Sequence, residues 1–186
     1  MDSNQKFENY MKGFYASVEL GQKAQSNGSF IECVCLYANQ IDAILRIGLI
    51  LRKQLETDSS ELIEELLYQG EGDKIITERK IYADALDAGI IDEAMFDQLE
   101  NLYKERNKVV HRYIISELTT KMVLQIAIGY HKLLMAVREK IAKLERLQVE
   151  SGRGMTRSVE NVPKEKIILD IKEMAIGKHD GVDIHK

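Results

Sequence analysis

Nothing in the first 162 residues obliges a helix to stop, because the chain's single proline is Pro163. Proline removes a backbone donor and clashes with the preceding turn, so its near absence permits long uninterrupted helices and disfavours turn-rich β architecture. The apolar residues carry the matching period. Phe7, Tyr10, Met11, Phe14, Val18 and Leu20 recur at three- and four-residue steps, predicting an amphipathic helix over residues 4–26 that Asn27-Gly28 closes. Ser29 is placed to cap a second helix reaching about residue 56, with Phe30, Val34, Tyr37, Ile41, Ile44, Leu45, Gly48, Leu51 and Leu55 on its apolar faces. Being apolar on most sides, this helix is expected at the centre. Asn39, Gln40 and Asp42 interrupt that surface and read as a solvated edge.

Asp58 or Ser59 can cap a short helix over residues 61–68, closed by Gly70. Thr77 can start another from Glu78 to Ala88, stopped by Gly89. Asp92 caps a helix of some two dozen residues to about Ile114, and Ser116 starts a last long one to about Val149. Short connections make such neighbours roughly antiparallel, so the expected fold is an all-α, up-and-down helical bundle. Composition changes at Ser151, where Ser-Gly-Arg-Gly-Met-Thr-Arg-Ser has no apolar period and reads as a flexible linker. The expected organisation is therefore a bundle over residues 1–150, then a linker and short amphipathic tail helix over 151–186 carrying Ile167, Ile168, Ile171, Met174 and Ala175. A helix that short must dock or fray. His179, Asp180, Asp183 and His185 read as a loose terminal segment rather than a metal site.

Thirty acidic residues against 26 basic ones give a net charge of −4, which argues against non-specific coating of nucleic acid by many Lys/Arg–phosphate contacts. Any contact with RNA must be local. No apolar run reaches the ~20 residues that span a bilayer and no basic-then-apolar leader opens the chain, so a cytoplasmic location without membrane attachment is expected. Cys33 and Cys35 lie two apart on a helix, pointing to different faces, and read as two buried thiols. No Gly-rich phosphate loop, Ser/His/Asp pattern or metal-ligand spacing stands out, and neither a metal nor a cofactor is expected.

The helix from Asp92 carries the chemistry. Phe96, Leu99, Tyr103, Arg106, Val110 and Tyr113 step by three and four along one stripe, with a guanidinium in the middle of it. Arginine stays charged at any ordinary pH, so a negative or strongly accepting group should meet Arg106 there. Glu100, Lys104, Asn107 and His111 form a second stripe one step round, which sets Asn107 one turn before His111. At ~100° per residue, Arg106 and His111 stand about 140° apart on the helix. Either the long arginine curls toward the histidine edge, or two copies meeting about a two-fold axis bring one copy's Arg106 near the other's His111.

Arg106-Asn107, three residues and His111 resemble the RNxxxH signature of the HEPN superfamily. His111-Arg112-Tyr113 extends the resemblance to the Arg-x4-His-x-Tyr form of HEPN toxins encoded beside a nucleotidyltransferase antitoxin. It covers about residues 4–147 and not the tail. It implies a metal-independent endoribonuclease, usually a homodimer whose two motif helices line a cleft, often in toxin–antitoxin or antiphage systems. It equally implies a second class, since many members keep the fold as catalytically inactive binding or regulatory modules. The chemistry gives each residue a reason. A histidine, with an ordinary pKa of about 6.5, can take the proton of a ribose 2′-hydroxyl near neutral pH, which is the role expected of His111. Arg106 can hold the phosphate and the charge that builds on it, and Asn107 can orient the histidine or donate to the phosphate. That set suffices for transesterification to a 2′,3′-cyclic phosphate. Lys104, Lys108 and Arg112 are candidates for steering RNA. Tyr113 is a candidate for packing, for stacking on a base or, by the resemblance, for accepting a nucleotidyl group.

Overall fold

The computed structural model describes residues 1–156, 164–180 and 182. Among the described residues seven helices follow one another as α1 (Ser3–Ser26), α2 (Phe30–Thr57), α3 (Glu64–Leu67), α4 (Glu78–Asp87), α5 (Glu93–Arg112), α6 (Thr120–Ser151) and α7 (Lys164–His179), with a 3-10 turn at Tyr113–Ile115. The fold is an all-α bundle with no strand among the described residues. Side-chain caps set most helix starts: Asp2 accepts from Gln5 N, Thr77 from Lys80 N, Asp92 from Met95 N and Thr119 from Met122 N. Ser29 occupies the cap position of α2 without making the bond. Gly28 takes the left-handed turn (φ 68°) between α1 and α2.

Three boundaries differ from expectation for local reasons. Asp58 does not start the third helix; it ends α2 in the left-handed region (φ 52°). Residues 59–61 are then held as a turn, with Ser59 Oγ accepting from Glu61 N at 3.0 Å and Gln54 Nε2 donating to Glu61 O at 2.9 Å, so α3 shrinks to Glu64–Leu67. The motif helix stops at Arg112 and tightens into the 3-10 turn, and α6 starts at Thr120, not Ser116.

α2 is the central helix, packed on α1, α4, α5 and α6. Val34, Ala38, Ile41, Leu45, Ile50 and Leu51 on it are fully buried. By length and composition it is also the one described helix apolar enough to cross a membrane, but 61% of that window is buried inside the protein, as a core helix requires. Gln40 and Asp42 are not a solvated edge. Gln40 is buried and donates to Ser17 O of α1 at 2.9 Å, while Asp42 accepts from Arg46 Nε at 2.7 Å. Arg46, itself buried, reaches on to Leu66 O (3.4 Å) and Ile76 O (3.0 Å), tying α3 and the approach to α4 onto α2. Cys33 is buried and Cys35 half-buried, both free thiols.

The segment after residue 150 is more firmly attached than a flexible linker. α6 runs through Ser151, and Met155 N and Thr156 N donate to the side-chain oxygens of Gln54 (3.1 Å) and Gln148 (3.0 Å). Gln148 is fully buried, and its Nε2 also donates to Leu51 O (3.1 Å) and Gln54 Oε1 (3.0 Å). These two amides have more donors and acceptors than their own helices use, so they capture the chain as it leaves α6. The rest of the expected linker, residues 157–163, lies outside the described residues. The expected tail helix is α7, and it packs along α1, with Ala175 fully buried. His179 is docked rather than loose, its Nε2 lying 3.2 Å from Glu19 Oε2 of α1. Asp183 and His185 lie outside the described residues.

Candidate functional site

The motif helix α5 packs on α2, α4 and α6, and its buried face is turned slightly from the stripe expected. Met95, Leu99 and Val109 are buried, whereas Val110 is exposed. The series Met95, Leu99, Leu102, Arg106, Val109 and Tyr113 has the same three–four spacing as the expected one and shares Leu99, Arg106 and Tyr113 with it. Periodicity cannot choose between two such neighbours; the close approach of Leu102 to Gly129 of α6 does.

Arg106 meets the acceptor its position demanded. One terminal nitrogen donates to Glu78 Oε2, from the first turn of α4, and the other lies 3.3 Å from Asn107 Oδ1. The guanidinium covers the ring of Tyr103 at 4.8 Å from its centroid, and Arg79 of α4 lies 5.8 Å from the same ring while pairing with Glu100 at 2.6 Å. Glu78 is held in turn by the hydroxyl of the fully buried Tyr82, one turn along α4. Burial disfavours the charge on Arg106, but the Glu78 carboxylate outweighs it and holds the arginine pKa above its ordinary value. Burial pushes the Cys35 thiol and the Asp42 carboxyl upward, and Arg106 opposes both shifts. Two buried atoms of residues that interact electrostatically with Arg106, Asp42 Oδ1 and Tyr130 Oη, have no hydrogen-bond partner among the described residues.

His111 stands elsewhere. It is exposed at the outer end of α5 and makes no hydrogen bond among the described residues. Within one chain the fold joins Arg106 to Asn107 with no contact to His111 among the described residues, so the arginine does not curl to the histidine edge. Asn107 turns its oxygen toward Arg106, not toward the histidine ring. Lys104 and Arg112 are exposed, while Lys108 pairs with Glu105 at 2.6 Å. Tyr113 is half-buried with its hydroxyl 3.1 Å from Thr120 Oγ1, on the wall of a cleft of about 430 Å³ lined also by Phe30, Ile31 and Val123. Beside it Ile114 and Ile115 are 94% and 81% exposed. A larger groove of about 960 Å³, between α1, α2 and α6, contains none of the motif residues. Among the described residues no three His, Cys, Asp or Glu side chains gather as a metal site.

Sequence reasoning missed Glu78, Tyr82 and Arg79. An arginine in an apolar stripe signals that a carboxylate is needed, but nothing in the order of residues selects Glu78 from 30 acidic side chains. No protein-family model, curated protein or solved structure matches this chain.

Proposed function

We propose that this chain is a metal-independent endoribonuclease of the HEPN kind, acting in the cytoplasm as a homodimer, as a toxin or antiphage effector held in check by a partner. The observation that carries the reading is the state of His111: exposed, flanked by the exposed cation Arg112 and without a hydrogen bond among the described residues, it is available as a base and is not consumed by the core. Arg106 would bind and neutralise the scissile phosphate with Asn107 as a neutral hydrogen-bond partner, and His111 would remove the 2′-hydroxyl proton, so that the 2′-oxygen bonds to phosphorus as the bond to the 5′-oxygen breaks and that oxygen leaves as a hydroxyl protonated by water or the imidazolium. The separation of Arg106 from His111 within one chain supports a site completed by a second copy, and the exposed Val110, Ile114 and Ile115 beside His111 supply apolar surface for that contact. Lys104 and Arg112 would steer RNA, Lys108 less so because Glu105 already neutralises it. Tyr113 offers a hydroxyl at the surface for a nucleotidyltransferase-type antitoxin to modify.

A specific observation favours the second reading, a catalytically silent binding or regulatory module: the Glu78 carboxylate neutralises Arg106, which weakens its hold on a phosphate. Incubating purified protein with single-stranded RNA and a metal chelator separates the two. Cleavage that His111→Ala removes supports the nuclease; intact RNA in both supports the module.

A further inference from the structure

We propose that Glu78 is a positioning residue for Arg106, holding one end of the guanidinium so that its remaining donors face an RNA phosphate; the inference rests on the ribonuclease reading and extends it. The carboxylate is placed by four features of the fold that do not depend on Arg106. Thr77 caps α4 immediately before it. Arg46 fixes Ile76 O at 3.0 Å, two residues earlier. Tyr82, fully buried and unable to swing, donates its hydroxyl to Glu78 Oε1. The packing of α4 on α2 and α5 fixes the helix itself. Only Oε2 remains, and Arg106 takes it.

A guanidinium has five N–H donors in a rigid fork. Glu78 and Asn107 engage one donor on each terminal nitrogen, and the Tyr103 ring covers one face. Among the described residues the second donor on each terminal nitrogen and the Nε donor have no partner, and the side chain retains 18% exposure through which a phosphate can approach. A free surface arginine would lose much of its rotamer freedom on being ordered. Here that ordering is complete before RNA arrives.

This arrangement has a kinetic signature that a structural ion pair lacks. A carboxylate beside the guanidinium opposes phosphate binding in the ground state, while fixed geometry favours the transition state, where a displacement near 1 Å can cost about 10²-fold. Glu78 should therefore raise kcat without lowering KM. With a single-stranded RNA oligonucleotide as substrate, Glu78→Ala should lower kcat by about tenfold or more with KM unchanged or lower. Glu78→Gln, which keeps an acceptor oxygen, should fall between that variant and wild type. Tyr82→Phe keeps the buried ring and so folds even if Glu78→Ala does not; it should shift kcat in the same direction by less. Wild-type kcat in both Glu78→Gln and Tyr82→Phe overturns the proposal, and so does a loss of kcat matched by loss of helical circular dichroism in both. If the wild-type chain itself leaves RNA intact, the ribonuclease reading has failed first, a result distinct from cleavage that ignores Glu78.

Discussion

Replacing Arg106 with alanine should destabilise the fold, and the structure decides a sign that the sequence leaves open. An arginine in an apolar stripe either burdens the fold, so that its removal relieves burial, or serves a buried acceptor, so that its removal orphans one. Glu78 is that acceptor, and the two side chains are only 18% and 15% exposed. Breaking a fully buried pair from one side costs about 3–5 kcal/mol. With solvent reaching both edges and Tyr82 still donating to Glu78, ~2–3 kcal/mol is the appropriate share. Loss of the contact over Tyr103 adds ~0.5–1 kcal/mol. In a chain of this size each kcal/mol moves the melting temperature by about 2–4 °C, so Arg106→Ala should melt about 5–15 °C below wild type. A thermal double-mutant cycle with Glu78→Gln assigns the loss to the pair: the double variant should be less destabilised than the sum of the singles by about 1–3 kcal/mol. An Arg106→Ala protein melting within a degree of wild type, or a cycle that closes additively, refutes the reasoning.

Gln148→Leu should cost about 2–4 kcal/mol, because Leu51 O loses a donor and Thr156 N loses its acceptor inside the protein; a melt and amide exchange at Thr156 read both. Removing residues 157–186 takes away α7 and the His179–Glu19 contact, so the melting temperature should fall by at least about 2 °C, the shift of ~1 kcal/mol here; no shift means that α7 contributes nothing to stability. The hydrogen bond from Arg79 holds the Glu100 pKa below its ordinary value, so its stabilisation is present above about pH 4.3 and lost as pH falls toward the folded pKa. Glu100→Gln should flatten the acid limb of a stability-against-pH curve, and an unchanged limb contradicts that assignment.

Helix starts were legible at Thr77 and Asp92, which cap where expected, but not at Asp58 or Ser116, and the continuous apolar surface of α2 marked it as the core. What stayed hidden depended on which side chains the fold pairs, near in sequence or far. Ser59 and Gln54 cut α3 short through the local turn they hold at Glu61, which competes with the helix and leaves the apolar period unchanged. Gln40 and Asp42 look solvated until Ser17 and Arg46 are brought to them, and residues 152–156 look like linker until Gln54 and Gln148 take their amides. At the site, the spacing of Arg106, Asn107 and His111 already placed the histidine on a different side from the arginine. It also required an acceptor for Arg106, but only the packing of α4 against α5 makes that acceptor Glu78.

The most direct test is the fate of single-stranded RNA incubated with purified wild-type protein and with His111→Ala, each in the presence of a metal chelator and each checked for native helical circular dichroism. The account predicts cleavage by wild type to products ending in 2′,3′-cyclic phosphate, and none by His111→Ala. RNA left equally intact by both, with mass spectrometry excluding a bound partner and a nucleotidyl group on Tyr113, would contradict it.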